Sequence, residues 1–204
     1  MISWIPTDSV ALLAAEEAEW MEWPSVPFPE YTHDRLREFA HYLLSASGGD
    51  LSAGLPALSS SGLYTLLVVV ARTAGVGGEP TTLDRRIAAQ LPAVTPALLA
   101  ELRRRDYRGL GDDPTGPVHR GRLLQLVGAF TPLAPLGATF HQRQKMSGAC
   151  PFCSGAEMLQ VSLPAVTWRC FGCDRSGGLR EFAECLLTRA LQVLERSAAP
   201  GHLS

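Results

Sequence analysis

Four of the chain's five cysteines occur in two Cys-x-x-Cys pairs, Cys150 with Cys153 and Cys170 with Cys173, and sixteen residues separate the pairs. Cysteine thiolates are strong zinc ligands, and each pair forms a tight turn that presents both sulfur atoms on one side. Two such pairs complete a tetrahedron of sulfur atoms at about 2.3 Å from the metal. The spacing therefore predicts one structural Zn²⁺ ion per chain, held by all four cysteines.

The segment between the two pairs is typical of a β-hairpin. Residues 158–163 and 165–169 alternate in strand fashion, and Pro164 lies between them. A hairpin with a cysteine pair at each end is a zinc ribbon. A helix is predicted from residue 179 to about 196, and Cys185 within it is interpreted as a small apolar core residue rather than a ligand.

The chain before the ribbon is predicted to be mainly helical. Residues 1–30 are expected to form a short helix and a proline-rich connector, and residues 31–130 a helical domain. Residues 131–147 are interpreted as a linker, and residues 148–204 as the ribbon with its C-terminal helix. The expected fold class is thus a mainly α N-terminal domain joined to a small β zinc ribbon and a C-terminal helix.

A helix-turn-helix or winged-helix arrangement is one interpretation of the helical domain. Residues 61–74 predict a buried helix, residues 83–91 a second helix, and residues 97–105 a third helix after a turn at 92–94. The alternative is a plain three-helix bundle whose arginines are solvated at a helix C-terminus, where positive charge is favourable. Four arginines at or just beyond the end of the third helix are candidates for DNA contacts: Arg103, Arg104, Arg105 and Arg108.

Charge is unevenly distributed along the chain, although the net charge is only −2. Residues 1–71 carry nine acidic and two basic side chains, whereas residues 72–180 carry fourteen basic and eight acidic ones. The basic part suggests a surface for a polyanion such as nucleic acid. The acidic part could contact a protein partner, or shield the basic surface until DNA arrives.

Composition and hydropathy exclude a membrane-spanning class. The chain is 46% hydrophobic and 19% charged, as in globular proteins, and no apolar run approaches the ~20 residues that a bilayer requires. No export signal is recognised at the N-terminus. Cysteines kept free for a metal favour a reducing compartment, so a cytoplasmic location is expected.

Short motifs in the ribbon carry a family resemblance. Residues 150–153 read Cys-Pro-Phe-Cys, residues 170–173 read Cys-Phe-Gly-Cys, and Ser-Gly-Gly at 176–178 precedes Glu-Phe at 181–182. This series resembles the N-terminal zinc-binding module of bacterial and phage DNA primases, with Cys in place of the family's His at the end of the first pair. The family's Lys-Thr-Pro-Ser-Phe stretch after that pair is absent, and Gly178 stands where the family usually has Asp.

The resemblance implies a module that contacts single-stranded template DNA and helps to place the start of a primer. In such a module, aromatic side chains on the strands can stack on bases while basic side chains hold phosphates. Trp168 has an alternative interpretation, in which its ring covers the zinc site. The candidate nucleic-acid contacts in the ribbon and just before it are Trp168, Arg169, Arg175, Arg180, Arg143 and Lys145.

Primase catalysis by this chain alone is not expected. Joining nucleotides requires metal ions held by clustered carboxylates, and residues 72–180 contain no Asp-x-Asp pair. No Gly-x-x-x-x-Gly-Lys phosphate loop occurs either. An enzymatic role would need carboxylates from distant segments, such as Asp84, Glu101 and Asp112.

Three functions are open on the sequence alone. The first is a zinc-dependent DNA-binding accessory of replication or priming, which contacts single-stranded template beside a separate primase, helicase or initiator. The second is a transcription regulator that uses a helix-turn-helix on duplex DNA, and the third is a protein-interaction adaptor that does not bind DNA. The apolar stripe of the C-terminal helix is wide enough to pack on the helical domain or to form an oligomer.

Overall fold

A computed structural model of the chain describes residues 31–77, 80–105, 117–137 and 144–198. The helices in these ranges are α1 (His33–Ala46), α2 (Leu51–Gly54), a 3₁₀ turn (Leu55–Ala57), α3 (Ser60–Thr73), α4 (Arg85–Ala88), α5 (Leu91–Arg105), α6 (Pro117–Gly128) and α7 (Leu179–Ala198). The strands are β1 (Ala134–Pro135), β2 (Lys145–Gly148), β3 (Leu159–Ser162), β4 (Thr167–Cys170) and β5 (Ser176–Gly177). The predicted combination of a helical body, a small antiparallel sheet and a C-terminal helix is confirmed; the helix and connector expected within residues 1–30 lie outside the described residues.

α1 begins at a side-chain cap and buries one face. The Thr32 hydroxyl accepts a hydrogen bond from the backbone N–H of Arg35 at 3.3 Å, and this satisfies one of the free N–H groups at the helix start. The apolar residues at helical spacing form the buried face, while the charged residues between them stay exposed. The buried residues are Leu36, Phe39, Ala40, Leu43 and Leu44.

α3 is the central helix of the body and contacts α1, α5 and α7. Residues 63–71 expose at most 3% of their surface, which accounts for the nearly continuous apolar run in the sequence. The helix ends where Gly75 takes a φ of +72°, a left-handed conformation that glycine adopts without strain. The buried helix predicted at 61–74 is therefore confirmed to within one residue at each end.

The predicted boundaries of the next two helices are wrong. α4 covers four residues and starts after Asp84, whose carboxylate accepts a hydrogen bond from the Arg86 N–H at 2.7 Å. Pro92, which predicted a turn, lies in the first turn of α5, where a missing N–H removes no helical hydrogen bond. The connection is instead at Ala89 and Gln90, and the described residues do not establish a winged helix.

The five strands form one antiparallel sheet in the order β1-β2-β3-β4-β5. Only the β3–β4 hairpin was predicted; β1 and all but the last residue of β2 belong to residues 131–147, which the sequence suggested as a linker. Because side chains alternate across a strand, the register gives the sheet two faces. The outer one, here called the polar face, carries Lys145, Ser147, Gln160, Ser162, Thr167, Arg169 and Ser176, none of which is buried.

α7 joins the sheet to the helical body. Its buried residues pack on α3, α5, α6 and β5, so that the inner face of the sheet and the body belong to one continuous apolar core. The buried residues of α7 are Leu179, Phe182, Ala183, Leu186, Leu187 and Ala190. Within the described ranges, none of the helices combines the length and apolar character needed to traverse a bilayer.

Candidate metal centre

The sulfur atoms of Cys150, Cys153, Cys170 and Cys173 all lie within 4.8 Å of one another. The Sγ–Sγ distance is 4.0 Å between Cys150 and Cys173, and 3.6 Å between Cys153 and Cys170. Sulfur atoms at 2.3 Å from a tetrahedral ion are separated by roughly 3.8 Å, so both distances fit a shared metal. The four cysteines can therefore bind one metal ion.

The two cysteine pairs have matching backbone geometry. The N–H of Phe152 points at the Cys150 sulfur at 3.4 Å, and the N–H of Gly172 points at the Cys170 sulfur at 3.3 Å. The residue after each pair has positive φ, 57° at Ser154 and 54° at Asp174. Each turn thus aims a backbone donor at its first sulfur, which stabilises the charged thiolate that a metal requires.

Gly172 allows the two pairs to approach closely. A Cβ atom at this position would lie 3.3 Å from the Cys153 sulfur on the opposite pair. It would also lie 3.4 Å from Cγ of Met158. A side chain here would therefore press on a metal ligand that has little freedom to move.

Burial and backbone hydrogen bonds act in opposite directions on the thiols. Burial disfavours the Cys170 thiolate, but the N–H groups of Cys173 and Gly172 favour it, and the pKa of Cys170 falls to about 7. Burial raises the pKa of both Cys150 and Cys173. Cys170 is thus the thiol most easily ionised of these three, and a bound cation would displace the remaining protons.

An aromatic cluster of Phe152, Trp168 and Phe182 supports the metal centre from the inside. Trp168 is only 2% exposed, and its Nε1–H donates to the Gly178 carbonyl at 2.9 Å. Its ring centroid lies 5.5 Å from that of Phe152 and 5.1 Å from that of Phe182. Of the two roles left open for Trp168, base stacking is wrong: its ring lies on the inner face of β4 with Cys170 and is packed beside the first cysteine pair.

Two of the arginines at the end of α5 bind their own helix. Glu101 accepts hydrogen bonds from Arg104 and Arg105, each at 2.7 Å. The hydrogen bond from Arg104, joined by that from Arg105, outweighs burial and lowers the pKa of the Glu101 carboxyl to about 2. Arg105 also donates to the Leu58 carbonyl at 2.6 Å, so it links α5 to the residue that follows the 3₁₀ turn.

Glu184 on α7 accepts hydrogen bonds from Arg103 and Arg180. The distances are 2.9 Å to Arg103 Nε and 3.4 Å to Arg180 Nε, and the hydrogen bond from Arg103 is the main cause that lowers the Glu184 pKa. Arg103 therefore links α5 to α7. Arg180 lies at the start of α7.

Lys145 and Arg169 are the two charged residues of the polar face. Arg169 lies over the ring of Phe171, 5.3 Å from its centroid, and forms an ion pair with Asp174 at 2.8 Å. Arg175 is outside this face and lies over Phe152, 5.4 Å from the ring centroid. The predicted contacts Arg108 and Arg143 lie outside the described residues.

The sequence did not predict the polar face, or Phe171 as part of a site. β2 and β5 are too short to show periodicity, so the pairing that aligns Ser147 and Ser176 with Arg169 was not readable. Phe171 is 56% exposed, while the other aromatic residues of the ribbon are packed. The sequence did contain one indication: Arg169 and Phe171 flank the ligand Cys170, so in an extended chain their side chains point away from the metal.

Two of the carboxylates suggested for an enzymatic site have structural partners. Asp84 caps α4, Glu101 is held by Arg104 and Arg105, and Asp112 lies outside the described residues. In the part of the chain that the structure describes, the four cysteines are the one group of three or more potential metal ligands.

No protein-family model, curated protein or solved structure matches this chain. Its function is therefore inferred from the metal centre and from the surfaces around it.

Proposed function

We propose that the four cysteines bind one Zn²⁺ ion and that the chain is a DNA-binding accessory of replication or priming. In this proposal the ion is structural, and the polar face of the ribbon contacts single-stranded template DNA beside a separate catalytic primase, helicase or initiator. The single observation that carries the proposal is the composition of this face, whose strand positions carry lysine, arginine, hydroxyl and amide groups, while the carboxylate of Asp174 from the following turn pairs with Arg169.

Zinc is the metal that suits this ligand set best. Four thiolates in a tetrahedral arrangement are typical of structural zinc, and a site closed by four protein ligands leaves no position for a substrate. The two matching turns and the aromatic cluster beside them are features that stabilise a fold. The ion would therefore hold the sheet rather than take part in a reaction.

The arrangement of the polar face suits a nucleic-acid backbone. Two rows cross the strands, one of Lys145, Ser162 and Thr167, the other of Ser147, Gln160, Arg169 and Ser176. With ~4.8 Å between strands and ~3.4 Å per residue, Lys145 and Arg169 are roughly 12 Å apart at the backbone. Two cations at this spacing, with hydroxyl and amide donors between them, can contact two phosphates of one strand.

The ion pair of Arg169 with Asp174 does not prevent this role. The two side chains are 58% and 82% exposed, so water and salt screen their attraction. A phosphate group offers the guanidinium comparable or better hydrogen bonds. A phosphate could therefore replace the Asp174 carboxylate as the partner of Arg169 at a small cost in free energy.

The primase-like motifs fit a structural role within the proposal. Glu181 accepts a hydrogen bond from the Gly178 N–H at 2.8 Å and thereby caps α7, while Phe182 belongs to the aromatic cluster. Gly172 is the close-approach position between the cysteine pairs. The residues that carry the resemblance build the ribbon, so they support a shared module rather than a shared reaction.

The test is a binding titration of the zinc-loaded chain with a fluorescent single-stranded oligonucleotide at two salt concentrations. We expect salt-sensitive binding, and a loss of about tenfold or more in the Lys145→Glu, Arg169→Glu double variant. The slope of log affinity against log salt should fall by roughly 1.4, because two phosphate contacts are removed. The matched control is the Arg35→Glu, Arg37→Glu double variant, which reverses two charges on the exposed face of α1 and should bind nearly as the wild type does. No binding by the wild type, or equal losses in both variants, would overturn the proposal.

The helix-turn-helix alternative has less support. α4 has four residues, and Arg103, Arg104 and Arg105 at the far end of α5 already bind Glu184 or Glu101. A clear preference for a specific duplex over single strands in the same titration would favour a transcription regulator. Retained protein-partner binding without any DNA affinity would favour the adaptor.

A further inference from the structure

We propose that Phe171, with Arg169 beside it, is a stacking site for one unpaired nucleobase. The inference rests on the proposed function, because it assumes that the polar face binds a nucleic-acid strand. It adds the residue that makes the surface selective for single strands over duplexes.

Phe171 is held in place although its ring is exposed. It lies between two metal ligands, Cys170 and Cys173, and its backbone N–H donates to the Met158 carbonyl at 2.9 Å. The ring is 56% exposed, and the neighbouring Met158 is 43% exposed. A fixed turn thus presents an aromatic ring and a thioether to solvent together.

The contrast with the buried aromatic cluster argues against a packing role for Phe171. Phe152, Trp168 and Phe182 contact one another on the inner side of the ribbon, at centroid distances of 5.1–5.5 Å. Phe171 follows β4 in the turn, and its ring contacts Arg169 of the polar face. Among the large hydrophobic residues that the structure describes as exposed, Phe171 is the most exposed.

The position of Arg169 specifies the ligand chemistry. Its guanidinium lies over the Phe171 ring, 5.3 Å from the centroid, in the row that runs from Ser176 on β5 through Arg169 and Gln160 to Ser147. A base that stacks on the ring face opposite the guanidinium would place its own phosphate near Arg169 and the next phosphates along the polar face. An aromatic surface next to a basic groove is the arrangement by which proteins bind single strands without strong sequence preference.

The same geometry discriminates against duplexes. In a duplex both faces of each base are covered by neighbouring bases, so a ring on a protein surface has no free face to contact. An unpaired base offers that face at no cost of unstacking a pair. The ligand class is therefore a single-stranded nucleic acid with at least one accessible base.

The first test compares oligothymidylate binding by the zinc-loaded wild type with that by Phe171→Ala, Phe171→Leu and Phe171→Trp. Loss of one stacked base should weaken binding by roughly 5- to 150-fold in the Ala variant, and Leu should restore little of it, whereas Trp should restore most. Tyr42→Ala removes another exposed aromatic side chain, on α1, and should have no effect. Zinc content is measured for each variant, because Phe171 adjoins a ligand.

The second test uses only the wild-type protein, so it does not depend on how a variant folds. An oligonucleotide in which the bases are replaced by abasic sites keeps the phosphates and loses the stacking partners. We expect it to bind several-fold more weakly than oligothymidylate, and 2-aminopurine in a bound strand should change its fluorescence. Matched oligodeoxynucleotides and oligoribonucleotides distinguish DNA from RNA.

The two proposals fail in different ways. If the wild type binds single strands but the abasic strand binds equally well and Phe171→Leu has no effect, the stacking site is overturned and the polar face remains. If no strand binds at all, the proposed function fails and the stacking site fails with it.

Discussion

At the scale of single residues, small side chains and backbone donors determine whether four thiols can share an ion. Gly172 is the clearest case, since its N–H reaches the Cys170 sulfur while its missing Cβ leaves room for the Cys153 sulfur. A cysteine count alone does not reveal this second role.

Replacing Gly172 with Ala should weaken metal retention while leaving the rest of the fold in place. The new Cβ would lie 3.3 Å from a ligand sulfur, and distortions next to a metal site typically cost 10–100-fold in affinity. We expect roughly a tenfold loss in a competition with a chromogenic zinc chelator. Gly128→Ala is the matched control, because a Cβ there meets no atom within 4 Å. Equal zinc affinity for the two variants would contradict the close-approach role.

The residue scale also separates what could be predicted from what could not. The cysteine ligands were predictable, because two short turns at a suitable spacing are local information. Trp168 was left open between two roles, although its parity with Cys170 already placed it on the inner side of the strand. The pairs that Glu101 forms with Arg104 and Arg105 follow helical i+3 and i+4 spacing and could also have been read. The pair of Arg103 with Glu184 spans eighty-one positions and could not.

At the scale of elements, the ribbon depends on the packing between β4 and α7. Trp168 fills this contact with its ring and closes it with a hydrogen bond to Gly178, immediately before α7 begins. The hairpin was predictable from its alternation. Strands of two residues, such as β1 and β5, are too short to show an alternating pattern. The start of α5 was missed because proline is common both in turns and in the first turn of a helix, where Pro92 lies.

Replacing Trp168 with Ala should destabilise the protein by about 3–5 kcal/mol, the usual cost of removing a buried large aromatic side chain. Trp168→Phe should recover much of this stability but lose the hydrogen bond to Gly178. Thr167→Ala, exposed on the same strand, should change stability by less than about 0.5 kcal/mol. Urea unfolding followed by circular dichroism, in the presence of zinc, measures all three. A Trp168→Ala variant as stable as Thr167→Ala would show that the ring does not support the ribbon.

At the scale of the whole molecule, the ribbon and the helical body share one core through α7. The sequence suggested two units joined by a linker at 131–147, because each unit showed its own pattern and the contacts between them are long-range. In the structure this segment supplies β1 and β2, and α7 packs on three body helices. Loss of the metal should therefore destabilise the interface of α7 with the body as well as the cysteine pairs.

The metal content of the purified chain tests the central claim most directly. Elemental mass spectrometry of the native protein should find one zinc ion per chain. A Cys153→Ser, Cys170→Ser double variant, which removes one ligand from each pair, should contain none, and Cys185→Ser, outside the site, should keep the ion. A folded wild-type chain without zinc, or a double variant that retains it, would contradict the account.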